Sequence, residues 1–339
     1  MADDRPANEH LLSLPNSGTL AYAQEGDPTS SEVVIFFHGV FGVGSINRIS
    51  AVHKERGSLI LNPTLPGWGE SSPVPSNIPY HTYLYQAITH LITTVHPDTS
   101  QLKLYLCGGS FGTVIAQILY GAPYDEFPLG RHIVGLLLLA PFSPPHAHKE
   151  FSQCLTLPNY LMIGSPARYM QFNCIARLGK LGLQSKVDTR PHAEAFIKEF
   201  AFTKMSPGER EAYDRWMAAN GIKEGDEIKE LADGPYRSVR HTWEGFMGVP
   251  QVFQSGWGGY SPADLDEEHS KPVLIAVTQG DWETKQMGEW LGTQLKNAHV
   301  RYEEGGHLAT LFVMDDIWAD FMTRASPPSN SSGLECDPI

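Results

Sequence analysis

The sequence predicts an α/β protein with a mostly parallel central sheet flanked by helices and a helical cap inserted into it. Three observations carry this. First, short and nearly continuous apolar runs recur at 32–37, 58–62, 102–106, 133–139 and 272–277. Such runs fit strands buried on both faces. Second, segments of helical spacing lie between several of them, as crossovers between parallel strands require. Third, strand patterns vanish from about Ser143 to Ser270, where helical segments alternate with Gly and Pro breaks.

In chain order, His10 to Leu14 and Thr19 to Ala23 flank Pro15-Asn16-Ser17-Gly18 and read as a hairpin. Glu32 to Phe37 is a buried strand ending in His38-Gly39-Val40-Phe41-Gly42, whose backbone N–H groups can point above the sheet. Ser58 to Asn62 is another strand, followed by a breaker-rich loop from Pro63 to Ser72. Tyr80 to Val95 has helical spacing, with Tyr83, Ala87, Ile88, Leu91 and Ile92 on one side. Leu102 to Leu106 runs into Gly108-Gly109-Ser110-Phe111-Gly112, and a helix with Val114, Ile115, Ile118 and Leu119 on one face follows. The strand from Ile133 to Leu139 closes the first part of the core, 10–142.

The cap is expected over 143–270, with helices at Pro191 to Phe202, Pro207 to Asn220 and Ser238 to Met247. Its Trp and Met side chains suit either its own packing or a pocket wall. The second part of the core, 271–325, holds the strand Pro272 to Val277, a helix from Thr284 to Asn297 and the strand His299 to Tyr302. A final amphipathic helix runs from Leu308 to about Met322. The Pro/Ser/Asn-rich tail 326–339 is expected to be disordered.

Composition narrows the function classes. A hydrophobic content of 41% with 19% charged residues suits a soluble globular chain, and 339 residues can bury a large core. A formal charge of −13 argues against nucleic acid and against an anionic membrane surface. No stretch has the length of a membrane span, and Met1 to Pro15 lacks the basic and apolar regions of a signal peptide. Cys107, Cys154, Cys174 and Cys336 form no dense framework, so a reduced, cytoplasmic setting is expected. The formal glycosylation triplet Asn330-Ser331-Ser332 reads as chance without a secretory signal, and a homodimer is compatible with the chain.

The chemistry is carried by Ser110, Asp281 and His307, each just beyond a buried strand. Strand, G-x-S-x-G and helix form the setting of a nucleophile elbow, where Gly108 and Gly112 let strand and helix approach without a Cβ clash. A parallel sheet collects its strand C-termini on one edge, so residues far apart in sequence can meet there. Serine needs a base to become nucleophilic, imidazole can serve, and a carboxylate fixes the imidazole tautomer. The backbone N–H groups of Val40 and Phe111 can receive a developing oxyanion. Glu283, two residues beyond Asp281, is the alternative acid. Of 14 histidines, only His307 combines a preceding strand, a Gly-Gly turn and a following helix. His146 and His148 lack the neighbouring ligands of a metal site, and no cofactor or metal is expected. His38 is expected to brace its loop and, with Trp257, to help form the substrate-binding surface.

On these residues the chain resembles the α/β-hydrolase fold superfamily. The resemblance rests on His38-Gly39, the P-G-W-G-E-S-S stretch at 66–72, the G-G-S-F-G elbow at 108–112, Gly280-Asp281 and Gly305-Gly306-His307-Leu308. It extends from Thr19 to Met322, and Gly256-Trp257-Gly258 is similar to the hinge of capped members. It implies a cofactor-independent serine hydrolase acting on a small or medium hydrophobic acyl substrate, most similar to broad-range ester hydrolases and proline-iminopeptidase-like enzymes. The latter would need a cap carboxylate such as Glu194, Glu199 or Glu244 for a substrate ammonium. A non-catalytic small-molecule receptor is the alternative on the same fold. Two positions depart from the pattern: Val40 stands where Pro or Gly is frequent, and Thr64 where many relatives carry Asp. The first leaves the second oxyanion donor open.

Overall fold

The computed structural model describes residues 6–15, 17–169, 173–203 and 205–325. The expected tail, Met170 and Cys336 lie outside the described residues. The strands are β1 (Glu9–Ser13), β2 (Thr19–Glu25), β3 (Glu32–Phe37), β4 (Leu59–Pro63), β5 (Lys103–Gly109), β6 (Ile133–Leu139), β7 (Val273–Thr278) and β8 (Ala298–Glu303). They form one sheet in the order β1-β2-β4-β3-β5-β6-β7-β8. β1–β2 and β2–β4 pair antiparallel, and every other neighbour is parallel.

The first three helices are α1 (Ala51–Arg56), α2 (Tyr80–Val95) and α3 (Gly112–Tyr120). Between β6 and β7 lie α4 (Leu157–Ile163), α5 (Cys174–Val187), α6 (Arg190–Ile197), α7 (Pro207–Asn220), α8 (Asp226–Ser238) and α9 (Glu244–Phe253). The chain closes with α10 (Trp282–Gln294) and α11 (Met314–Ala325). Among the described residues no helix is long and apolar enough to cross a membrane.

The inner strands β3, β5, β6 and β7 are largely apolar because both their faces are covered, whereas the outer strands β1 and β8 carry exposed polar residues. Val33, Ile35 and Phe37 of β3 enter the same core as Leu91 of α2, Ile115 of α3 and Leu291 of α10. Val34 points the other way and joins Tyr105, Leu137 and the α11 residues Ile317, Trp318 and Phe321. The alternation at successive positions is the period-two geometry of a strand.

Four helices have bounds other than the sequence expectation, the one expected over Thr284 to Asn297 being α10 at Trp282–Gln294. No helix spans Ser238 to Met247: α8 ends at Ser238, and α9 starts at Glu244. Ser238 Oγ donates to the Pro235 carbonyl at 3.0 Å and so satisfies a terminal acceptor, while Thr242 Oγ1 accepts from Glu244 N at 3.1 Å. Pro235 lies inside α8 near its end and has no N–H for the carbonyl four residues back, so it weakens the helix where the chain is about to leave it. The expected helix over Pro191 to Phe202 divides into α6 and a π turn at Lys198–Phe202. The final helix begins as a 3₁₀ turn, Ala309–Val313, before α11.

The helical insert is fastened to the sheet from several sides. Arg237 of α8 pairs with Glu9 of β1, and Arg48 pairs with Glu230. Gly245 N donates to Gly67 O at 2.8 Å, and Gly69 N to Ser238 O at 2.7 Å. Glu283 in the first turn of α10 accepts from Thr156 N and from Asn159 Nδ2 at the start of α4.

α3 approaches β3 closely. A Cβ on Gly112 would stand 2.0 Å from the Phe37 carbonyl oxygen, and one on Gly108 would stand 2.4 Å from the Gly112 carbonyl oxygen. Overpacking of this kind costs about 1–3 kcal/mol, occasionally more, and here the obstacle is backbone that cannot rotate away. Gly112→Ala should therefore lower stability by about 3 kcal/mol, read as a lower urea midpoint. An unchanged midpoint would refute this packing.

Candidate active site

Ser110 sits between β5 and α3 with φ 52, a left-handed backbone that serine seldom adopts. Its N–H donates to Leu139 O of β6 at 2.8 Å. Thr113 Oγ1 donates to Ser110 O at 2.6 Å and accepts from Phe142 N at 3.1 Å. Gln117 Nε2 donates to Phe142 O at 2.8 Å from the next turn of α3. Buried polar groups behind the elbow thus hold the strained residue, as such conformations require.

Asp281 follows β7 and is the N-cap of α10. One oxygen, Oδ2, accepts from Thr284 Oγ1 at 2.5 Å and faces His307 Nδ1 at 2.5 Å. A carboxylate can only accept, so Nδ1 carries the proton and Nε2 is left with a lone pair. That lone pair lies 3.0 Å from Ser110 Oγ. Burial pushes the Asp281 carboxyl up, but the bonds from His307 and Thr284 outweigh it and hold the group below its ordinary value. The structure therefore brings Ser110, His307 and Asp281 into one hydrogen-bonded chain across the ends of three strands. Neutral imidazole placed this way can accept a hydroxyl proton as the oxygen attacks.

A cavity of about 220 Å³ lies beside Asp281 and His307. Gly280, Asp281, Gly306 and His307 come from the sheet side, while Phe200 and Glu209 come from the insert. The Phe200 ring meets the His307 ring at 6.2 Å. Glu209 is buried at the start of α7, where it forms a reciprocal capping box with Ser206. The S-x-x-E spacing at 206–209 marks that helix start in the sequence. Nothing local in the sequence signals that it packs against Gly305.

A model described as the alpha/beta hydrolase family matches residues 34–321. The chain belongs to the alpha/beta hydrolase family. No curated protein sequence matches it. Among solved structures, a hydrolase from Pseudomonas aeruginosa PA01 is similar at 13% identity and a TM-score of 0.57, covering 94% of this chain and 99% of that one. The esterase RhEst1 from Rhodococcus sp. ECU1013 has 11% identity and a TM-score of 0.57, covering 94% and 100%. MenH from S. aureus has 13% identity and a TM-score of 0.55, covering 90% and 98%. At such identities these neighbours speak for the fold of this alpha/beta hydrolase.

Other expected site residues take different places. Glu283 is buried, and both its oxygens are taken by the start of α4, so it fastens the insert and does not reach His307. His38 is also buried: Nδ1 donates to Gly39 O at 2.7 Å, and Nε2 accepts from Leu65 N at 2.9 Å. It braces two loops, and both ring nitrogens are engaged within the protein. Trp257 is wholly buried against Phe253 and Tyr260, with Nε1 donating to Phe253 O at 3.3 Å, and is not among the residues lining the cavity. Glu199 pairs with Lys186 and Glu244 is exposed. Among Glu194, Glu199, Glu209 and Glu244, only Glu209 lines the cavity.

The loop bearing Val40 stands against the nucleophile, since a Cβ on Gly39 would lie 3.2 Å from Ser110 Cβ. Phe111 is the N-cap of α3, with its ring buried against Phe253. Thr64 has its own task, accepting from Gly44 N at 2.8 Å through Oγ1. Met162 lies against the Gly179 position of α5, so it helps pack the insert's own helices.

Burial pushes the His38 imidazole down to about 4. Unfolding restores an ordinary value near 6.5, so between about 6.5 and 4 the unfolded chain binds the extra proton. Its contribution is complete above this window and is lost as pH falls through it, with a slope of about 1.4 kcal/mol per pH unit at most. Urea midpoints should fall over this range, and His38→Gln should flatten the fall. An equally steep fall in the variant would show that His38 is not the group responsible.

Proposed function

We propose that this alpha/beta hydrolase is a serine hydrolase cleaving a carboxylic ester or related acyl compound through an acyl-enzyme. The observation that carries the reading is the chain from Ser110 Oγ to His307 Nε2, at 3.0 Å, and from Nδ1 to Asp281. In this mechanism Ser110 Oγ attacks the acyl carbonyl while its proton passes to Nε2. Asp281 holds the tautomer and stabilises the imidazolium. The N–H groups of Val40 and Phe111 receive the oxyanion. Collapse breaks the acyl–oxygen bond, and the leaving alcohol takes the proton from His307. Water then repeats the sequence on the acyl-Ser110, releasing the acid and restoring the serine. No step calls on a cofactor.

Residues 143–270 act as the cap in this reading, with Phe200 reaching the imidazole from above. Its aromatic contribution favours a small or medium hydrophobic acyl group. Glu209 supports a second reading, an aminopeptidase whose substrate ammonium meets that carboxylate in the cavity. A panel of p-nitrophenyl esters and aminoacyl amides separates the two: the first reading expects ester turnover to dominate, and dominant amide turnover would favour the second.

Ser110→Ala should lower kcat by about 10³-fold or more and abolish labelling by a fluorophosphonate while leaving the protein folded. Labelling that persists in this variant would refute the nucleophile. Asp281→Asn should cost up to about 10⁴ in kcat, because the amide permits the wrong imidazole tautomer. Glu283→Gln should weaken the attachment of α4, lowering the thermal midpoint more than kcat. If Glu283→Gln were inactive and Asp281→Asn active, the acid would be Glu283. The base must be unprotonated to act, so kcat/KM should fall toward acid pH, and a flat profile with chemistry rate-limiting would overturn the role of His307.

A further inference from the structure

We propose that Phe41 is a positioning residue through which the helical insert sets the turn carrying Val40. The inference rests on the proposed Ser110 mechanism, in which that turn supplies an oxyanion donor. The turn runs from Gly39 to Gly42, closed by Gly42 N donating to Gly39 O at 3.2 Å. Phe41 is its third residue and has φ 61, while Val40 is not in the left-handed region. This is the sign pattern of a type II turn, whose third position is normally glycine. Phenylalanine there is strained, and strain persists only where the surroundings over-determine it.

Those surroundings come mostly from the insert. The Phe41 ring stacks on Phe246 of α9 at 5.2 Å and 22°. Trp243 and Phe196 meet it edge-on at 6.0 Å and 6.4 Å, and Trp68 closes the box at 5.9 Å from the sheet side. The backbone is held too: a Cβ on Gly234 of α8 would stand 3.3 Å from Phe41 O. A glycine at 41 would have the required φ without strain but could not be gripped. The aromatic ring gives the insert a handle on a turn that lies against Ser110.

Phe41 does not touch the reacting atoms, so its effect should fall on the rate of acyl transfer and not on substrate affinity. The inference predicts that Phe246→Ala, which alters only the insert, lowers kcat about tenfold while KM stays within about twofold. Phe41→Leu should be as impaired, Phe41→Tyr should be close to wild type, and the Phe41→Leu/Phe246→Ala double variant should be no worse than either single change. Additive losses in the double variant, or a rise in KM with kcat unchanged, would overturn it. A readout independent of turnover keeps the turn itself under test. In Phe246→Ala, amide hydrogen exchange in the peptide spanning 38–42 should speed up several-fold while the β6 peptide is unaffected. Unchanged exchange at 38–42 would overturn the proposal even in an active enzyme. Faster exchange in a protein that neither turns over esters nor labels with fluorophosphonate would leave the coupling standing and refute the hydrolase reading instead.

Discussion

Everything at the site depends on how closely one helix can approach the sheet. With glycine at 108 and 112, α3 comes within carbonyl contact of β3, and the chain between strand and helix is compressed into the left-handed turn at Ser110. A larger residue at either position would push the helix outward, and the serine hydroxyl with it. Parallel pairing from β3 to β8 then sets the remaining partners, because the ends of β5, β7 and β8 share one edge. The hydroxyl–imidazole distance is thus a consequence of backbone packing more than of side-chain choice.

Buried carboxylates mark where sheet and insert meet. Asp281, Glu283 and Glu209 are all largely withdrawn from water, and each has donors that offset the cost of burial. Asp281 serves the imidazole, Glu283 captures the first turn of α4, and Glu209 closes the first turn of α7. All three stand at helix starts, Asp281 as the N-cap of α10, where free N–H groups favour an anionic partner.

Much of this could be read from the chain because it is local. The alternating strands, the glycines around Ser110 and the order Ser110, Asp281, His307 are patterns within short windows or a single topology. Tyr80 to Val95 was bounded correctly because its apolar stripe ends where the breakers begin. What could not be read depends on distant packing. Glu283 and Asp281 are indistinguishable as neighbouring acids until α4 is known to dock on one of them. His38 and Trp257 stand in loop sequence, yet both are buried: His38 is held by Leu65 of a distant loop, and the distant His146 packs on Trp257 beside its neighbours Phe253 and Tyr260. The boundary between α8 and α9 was lost because Pro235 and Pro250 lie inside helices that packing sustains.

The attachment of the insert has an evolutionary consequence. It leaves the sheet after β6 and returns at β7, and these strands are immediate neighbours. Its two ends are thus pinned side by side by the ladder itself, whatever lies between them. Closing a flexible loop grows more costly only logarithmically, by about 0.6 kcal/mol for each doubling of length. The segment between Phe142 and Pro272 can therefore lengthen, shorten or be exchanged with little penalty to the parallel ladder, provided the new segment still grips the loops around Phe41 and Trp68. Selection can then vary what enters the cleft while the reacting atoms stay in place.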